Sequence, residues 1–507
     1  MSGNYKSLYT TARRALLGSG FVALCAVGSI QSAFAQDAIT VVQGPDAQPR
    51  NIMPTRGGNL PWIKNVFETL TLRDRETREP QPLLATAWTV ADDGLSIAID
   101  LRDDVTFHTG RKMTAEDVKF TFETAAAPET AAQTGFIARE FSNIEVVSDT
   151  QLNISFNRQL PNLFDLFEET PIVDKDTYDN RVDGSQVVGT GSYKFASWTP
   201  GAEIVLEKYN DHRNADAAGI ETINHAIIRD PTAIVAALRS KRAQIAFNLV
   251  PRVAQTLKAD PSYEIFSGGG AIFPLGLNTT MPPFDNKSVR QAIGYAIDRE
   301  RVNDQVFAGV GTPTAVFFNP SEAGYSEALA NTYAYDPDKA SAMIKEAGAA
   351  GTKIKMIIPA IPPNRATAEI VQNNLTAVGF EVEVEVLDVP TYDKRQVAGD
   401  LDQSFILIHG LVGYSAASLL SAAPSLREGN PSQFWTDEYQ SLRNALDAAS
   451  EAERSAALEA LTAYMVDEAF SLAIVQSANQ TVISKDVEGA VLSARGHLLL
   501  GNARPAE

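Results

Sequence analysis

GGGAIFPLGLNTTMPPFDNKSVRQAIGYAID, residues 268–298, reads as a strand, a joint and a helix in succession. Residues 271–277 form a short apolar run suited to a buried strand, and 278–284 are polar and proline-containing. From about Lys287, Val289, Ala292, Ile293, Ala296 and Ile297 recur at helical spacing and make one apolar stripe, leaving Arg290, Gln291 and Asp298 on the wet side. Pro282-Pro283 is too short and stiff for a free linker, and proline resists a continuous run of either structure. The joint therefore reads as a crossing between two lobes, with most of the upstream chain on one side of a cleft and most of the downstream chain on the other.

Working outward, 507 residues exceed what one hydrophobic core usually supports, so two or three packed bodies are expected. With 44% hydrophobic and 21% charged residues the chain is globular in composition. The formal net charge of −19 gives a surface that repels nucleic acid and anionic lipid. Lys6, Arg13 and Arg14, an apolar stretch over 15–30 and the small-x-small run Ala33-Phe34-Ala35 read as a secretory signal over 1–35, cleaved after Ala35. The stretch falls short of the roughly 20 apolar residues of a spanning helix. Export by the general or the twin-arginine route stays open. The single cysteine, Cys25, lies inside this segment, and bulky Leu24 before it disfavours lipid attachment. The mature chain then has neither disulfide, thiolate nor cysteine metal site.

Further along, a strand at 38–42 leads into a turn-rich stretch, 43–61, containing Asn51, Thr55, Gly57, Gly58 and Asn59, of the kind that lines sites as well as surfaces. Residues 62–70 look helical. Residues 87–90, the Asp92-Asp93-Gly94 turn and alternating 96–101 make a hairpin. Thr114 caps a helix with Asp117 at its third position. Asp336 and Pro337 open another helix that Gly348 stops. A strand at 353–358, a helix at 366–378 and a strand at 380–386 form a βαβ unit. Helices at 438–449 and 453–469 precede a last strand, 471–477, that leads back to the first lobe.

Ala87-Trp88, Asp93-Gly94, Leu101-Arg102, Phe107-His108-Thr109-Gly110 and Thr114 to Val118 together resemble the signature of extracytoplasmic solute-binding proteins of ABC importers in the peptide/nickel family, family 5. The likeness continues through Val188-Gly189-Thr190-Gly191-Ser192-Tyr193 and the opening stretch. It implies an α/β fold of the type II (class C) periplasmic-binding-protein kind, two large lobes with an extra subdomain and a ligand cleft between the lobes. The expected division is a first lobe from 36–64, 188–279 and 478–507, an extra subdomain from 65–187, and a second lobe from 280–477. Trp88, Arg102 and His108 read as structural, since family members with different ligands share them.

The resemblance also implies a periplasmic binding protein that is no enzyme, needs no cofactor, is monomeric, and passes a peptide or other small solute to two transmembrane permease subunits driven by ATP-binding subunits. No hydrolase elbow, zinc helix or phosphate loop occurs, and His108, His212, His225, His409 and His497 include no pair at metal-ligand spacing. Nickel-chelate, haem, opine or sugar-conjugate capture on the same fold, and a secreted hydrolase, are the alternatives. In peptide-binding members an arginine holds the ligand carboxylate; Arg365 occupies the matching region, where it is equally a solvated helix-start residue. Those members also carry an acidic, proline-containing loop for the ligand ammonium. Residues 407–417 here, LIHGLVGYSAA, contain no aspartate, which points away from the usual dipeptide mode toward longer or modified peptides and opine-like or sugar-conjugate solutes. His409 and Tyr414 are the leading pocket candidates, followed by Phe273, Asn278, Trp435 and Asn59.

Overall fold

A computed structural model of the protein describes residues 38–506 apart from 55, 56, 411 and 494. The signal-peptide reading, Cys25 and Thr55 fall outside these residues. Three sheets organise the rest. The first has seven strands in the order Tyr263–Gly268, Asn479–Ser484, Ile245–Leu249, Ala38–Gln43, Thr222–Ile227, Glu203–Lys208, Tyr193–Thr199. Ala38–Gln43 runs parallel to both of its neighbours. It carries apolar residues on both faces: Val41 joins one core with Ile223 and Leu206, and Val42 the opposite one with Leu238 and Val482.

The second sheet has six strands, ordered Thr312–Pro313, Ser471–Gln476, Ile272–Leu277, Ser404–Ile406, Lys353–Pro359, Glu381–Leu387. Every residue of Ile272–Leu277 is buried, because strands flank it on both sides and helices cover it. Lys353–Pro359 and Glu381–Leu387 are parallel and joined by the helix Pro362–Ala377, the βαβ unit read from the sequence. The third sheet, Ala85–Val90, Ser96–Leu101, Gln151–Phe156 and Phe141–Ser148, packs under the helix Ala115–Ala126, whose Thr114–Asp117 capping box is formed.

Three local readings are corrected. The chain crosses between the large sheets at 269–271 and returns at 477–478, so Pro282-Pro283 lies within the second body. Phe273 and Asn278, grouped by sequence with 188–279, stand with the second sheet, to which Ile272–Leu277 is hydrogen-bonded on both edges. Glycine makes that turn feasible: Gly269 and Gly270 have φ of +63° and +122°, and a Cβ on Gly270 would meet the Ser477 carbonyl oxygen at 2.0 Å. Arg290 is buried rather than wet, because its guanidinium bridges Glu468 and the Phe284 carbonyl where the helix Lys287–Ala296 packs on Glu451–Glu468. The helix expected over 62–70 stops at Val66. Beyond it the extended Phe67 leads to Thr71–Arg73, which pairs with Pro80–Pro82.

Trp88, Arg102 and His108 sit in structural contacts. His108 accepts from the Gly189 nitrogen at 3.3 Å and contacts the Gly191 carbonyl at 2.9 Å, clipping the Gly189-Thr190-Gly191 turn. Trp88 packs on Phe164, and Arg102 pairs with Asp104.

Candidate ligand cleft

The two crossings and the chain ends around them enclose a cavity of about 670 Å³. Gly268, Gly269, Gly270 and Asn479 form its hinge side, and Asn248, at the end of a first-sheet strand, and Arg495-Gly496-His497 bring in the first body. Ile408, His409, Gly410, Val412, Tyr414 and Pro424 supply the wall from the second, and Gln133 and Glu169 come from the segment carrying the third sheet. The lining is thus drawn from all three sheet-bearing segments of the fold.

Beneath the cavity lies a buried ionic cluster. The Arg495 side chain is 2% exposed and donates to Asp165 at 2.5 Å and Glu168 at 2.8 Å, with Glu169 at 3.6 Å. Arg73 reaches Asp165 at 2.9 Å and Glu168 at 3.2 Å. His497 Nε2 faces Glu169 at 3.2 Å, and Lys64 donates to the Glu168 carbonyl. Burial opposes the charges of Asp165, Glu169 and Arg495, and their pairing outweighs it, whereas burial prevails at Lys64 and lowers its pKa. Thus Glu169 is raised by burial yet held below the usual carboxylate range by His497, Lys64 and Arg495. For Arg495, burial disfavours the charge, and Glu168, Asp165 and Glu169 more than restore it. The Arg495 guanidinium stacks 3.8 Å from the Tyr414 ring centre, joining the first body to the second-body wall.

Of the candidates named from sequence, His409 and Tyr414 line this cavity, as does Gly57 of the turn-rich stretch, whereas Arg365, Phe273, Asn278, Trp435 and Asn59 do not. His409 is locked: its backbone exchanges hydrogen bonds with Ile272, and its Nε2 lies 2.7 Å from Ser425 Oγ. Burial, with a smaller push from Arg427, takes its pKa down to about 3, so the ring is neutral. Arg365 is exposed on the helix Pro362–Ala377. Phe273 packs on Phe307 in the second core. Asn278 donates to the Asp402 carbonyl and accepts from Thr280. Trp435 packs against Tyr439 under Arg443. Asn59, fully buried, ties Gln48 and Asn51 together and shapes the turn beside the cavity.

Glu169, Arg495 and His497 were missed. The loop at 407–417 carries no aspartate of its own, and the acid that meets it is Asp165, which accepts from Ser415 across 250 residues of sequence. Glu168-Glu169 and Arg495-Gly496-His497 are visible as charged pairs in the sequence, but nothing local says that they meet. Among the described residues no group of three His, Cys, Asp or Glu could hold a metal ion, and no helix is long and apolar enough to cross a membrane.

Two α/β bodies joined by short crossings, with a cleft between them, have the two-lobe architecture of type II periplasmic binding proteins. Residues 79–421 match the family described as bacterial extracellular solute-binding proteins, family 5 middle, and the chain belongs to it. It is 27% identical over 427 residues to di/tripeptide-binding protein 1 of Pseudomonas aeruginosa, covering 77% of this chain and 78% of that one. It is 25% identical over 480 residues to heme-binding protein A of Haemophilus influenzae, covering 86% of each. The periplasmic binding protein DppA of Helicobacter pylori, solved with the peptide STSA, superposes with a TM-score of 0.75 at 22% identity, over 93% of this chain and 98% of that one.

Proposed function

We propose that this protein is the periplasmic capture subunit of an ABC importer and takes peptides or peptide-like solutes. The observation that carries the reading is the cleft itself. At about 670 Å³ it falls within the range of roughly 300–1,000 Å³ typical of small-ligand sites. Its wall includes Gly268, Gly269, Gly270, Gly410 and Gly496, which bring main chain close to a guest, as strand-like recognition of a peptide backbone requires. The likeness to a di/tripeptide-binding protein supports the same class.

In this reading the chain is exported, loses residues 1–35 and acts as a monomer. The lobes, with the extra subdomain at 65–187 moving as part of the first, close on the solute about the crossings at 269–271 and 477–478 and present it to two permease subunits with their ATP-binding partners. The solute leaves chemically unchanged.

A thermal-shift screen of di- to hexapeptides, run beside haem, nickel–histidine, opine-type and sugar-conjugate solutes, tests the ligand class. A true ligand at a hundredfold excess over its dissociation constant stabilises the fold by about 2.7 kcal/mol. Response to another class with none to any peptide overturns the peptide assignment. Mass analysis of the secreted protein tests cleavage after Ala35.

A further inference from the structure

Three residues that line the cleft each hold a buried polar atom with no hydrogen-bond partner among the described residues: Arg495 Nη1, Tyr414 Oη and His497 Nδ1. Their exposures are 7%, 4% and 3%. Leaving such atoms unpaired is unfavourable, and buried polar groups are paired in nearly all native proteins. Nη2 donates to Asp165 and Nε to Glu168, and Nη1 is the nitrogen of the fork with no acceptor. Tyr414 Oη lies on the ring against which that guanidinium stacks. A second-body hydroxyl and a first-body guanidinium nitrogen are thus both left without an acceptor in residues that line one cavity.

The carboxylates beneath do not compete for this role. Asp165 accepts from Arg73, Arg495, Ser415 and Ser418, and Glu168 from Arg73 and Arg495. Glu169 faces His497 Nε2 with both oxygens. An enclosed ligand ammonium would find these acids already engaged, whereas Arg495 Nη1 and Tyr414 Oη are donors without an acceptor. Arg365, the carboxylate partner implied by family likeness, lies outside the cleft.

We infer that the cleft recognises the carboxylate end of its solute, docked on Arg495 Nη1 and Tyr414 Oη, and does not depend on a ligand ammonium. The inference rests on the solute-binding role proposed for this cleft. It assigns the solute class, carboxylic acids free or blocked at the amino end, and it gives Tyr414 a specificity role.

The test uses calorimetric titration of the mature protein with tri-alanine, its N-acetyl form and its C-terminal amide, and with N-(1-carboxyethyl)lysine and its amide. The acids bind, acetylation changes affinity by less than about threefold, and amidation weakens it by about tenfold or more, the size of one lost charge-assisted hydrogen bond. Tyr414→Phe keeps the stacking ring and removes only the hydroxyl. It leaves urea stability unchanged or raised, weakens acid binding about fivefold to tenfold, and narrows the acid–amide gap. Equal binding of acid and amide, loss of binding on acetylation, or unchanged acid affinity in Tyr414→Phe overturns the inference. If only the carboxyethyl amino acid binds, with the acid preference and the Tyr414→Phe loss intact, the peptide assignment fails and this inference stands. If no acid of either kind binds, both fail.

Discussion

The carboxylate of Asp165 accepts from both the backbone nitrogen and the hydroxyl of Ser415, at 3.1 and 2.6 Å, across 250 residues of sequence. Ser415 caps the helix Ala416–Ala422 on the second body, and Ser418 adds its hydroxyl to the same oxygen at 2.5 Å. The other Asp165 oxygen takes Arg73 and Arg495. One buried carboxylate thus fastens the cleft loop of the second body to the ionic cluster beneath the cavity.

Removing that carboxylate is far more damaging than removing its hydroxyl partners. Asp165→Ala strands Arg495 and Arg73 near two remaining acids, and breaking a buried ion pair from one side costs about 3–5 kcal/mol. Ser415→Ala loses a helix cap worth about 1 kcal/mol. Urea unfolding of the two variants should separate them by at least about 2 kcal/mol. Equal losses would show that the ionic contacts add nothing beyond the cap.

Acid should begin to weaken the fold above the ordinary carboxylate range. Burial pushes His225 and His409 down to about 3 and His108 to about 4, from an ordinary value of 6.5. The unfolded chain therefore binds three protons that the folded one refuses. Stability from this source is whole above about pH 6.5 and is lost as pH falls toward about 4, at up to about 4 kcal/mol per pH unit. The depressed Glu169 adds to the loss only below its ordinary value of 4.5. His225 Nδ1 contacts Gln43 Oε1 at 3.1 Å, a bond that glutamine can imitate. His225→Gln should lower the slope between about pH 6 and 5 by roughly a third, measured by urea unfolding; an unchanged slope removes His225 from the account.

The crossing tolerates no side chain at Gly270. Alanine there would combine a φ of +122° with a Cβ 2.0 Å from the Ser477 oxygen, a backbone atom that cannot step aside. Gly270→Ala should destabilise by about 2 kcal/mol or more. Gly410, in the same cavity, has open space around the Cβ position, so Gly410→Ala should stay within about 0.5 kcal/mol of the parent. Similar unfolding midpoints for both would mean that the crossing relaxes.

Arg365 should be dispensable for binding. It is exposed and away from the cleft lining, so Arg365→Ala should hold affinity for any ligand within about twofold, as an exposed charge distant from the guest contributes little. A tenfold loss by calorimetry would return Arg365 to the site.

Much of the fold was legible because it is local. The Thr114–Asp117 capping box, the stripe Val289-Ala292-Ile293-Ala296 and the glutamate–valine alternation of Glu381–Leu387 follow from period and capping chemistry, which neighbouring residues settle among themselves. The place of the crossing was not, since an apolar strand such as Ile272–Leu277 reads alike in either sheet until its hydrogen-bonding partners are known. His409 and Tyr414, proposed from the loop that carries them, line the cavity in the structure.

By itself the sequence determined the α/β class and the family, and it pointed to the loop carrying His409 and Tyr414, two residues that line the cavity. Only tertiary structure decided that Glu169, Arg495 and His497 meet there, up to 330 residues apart for the contacts of Arg495 with the same helix. The physical reason is that secondary structure answers to spacing along the chain. A buried ionic site answers instead to distance and desolvation in space, and those exist only once the bodies have packed.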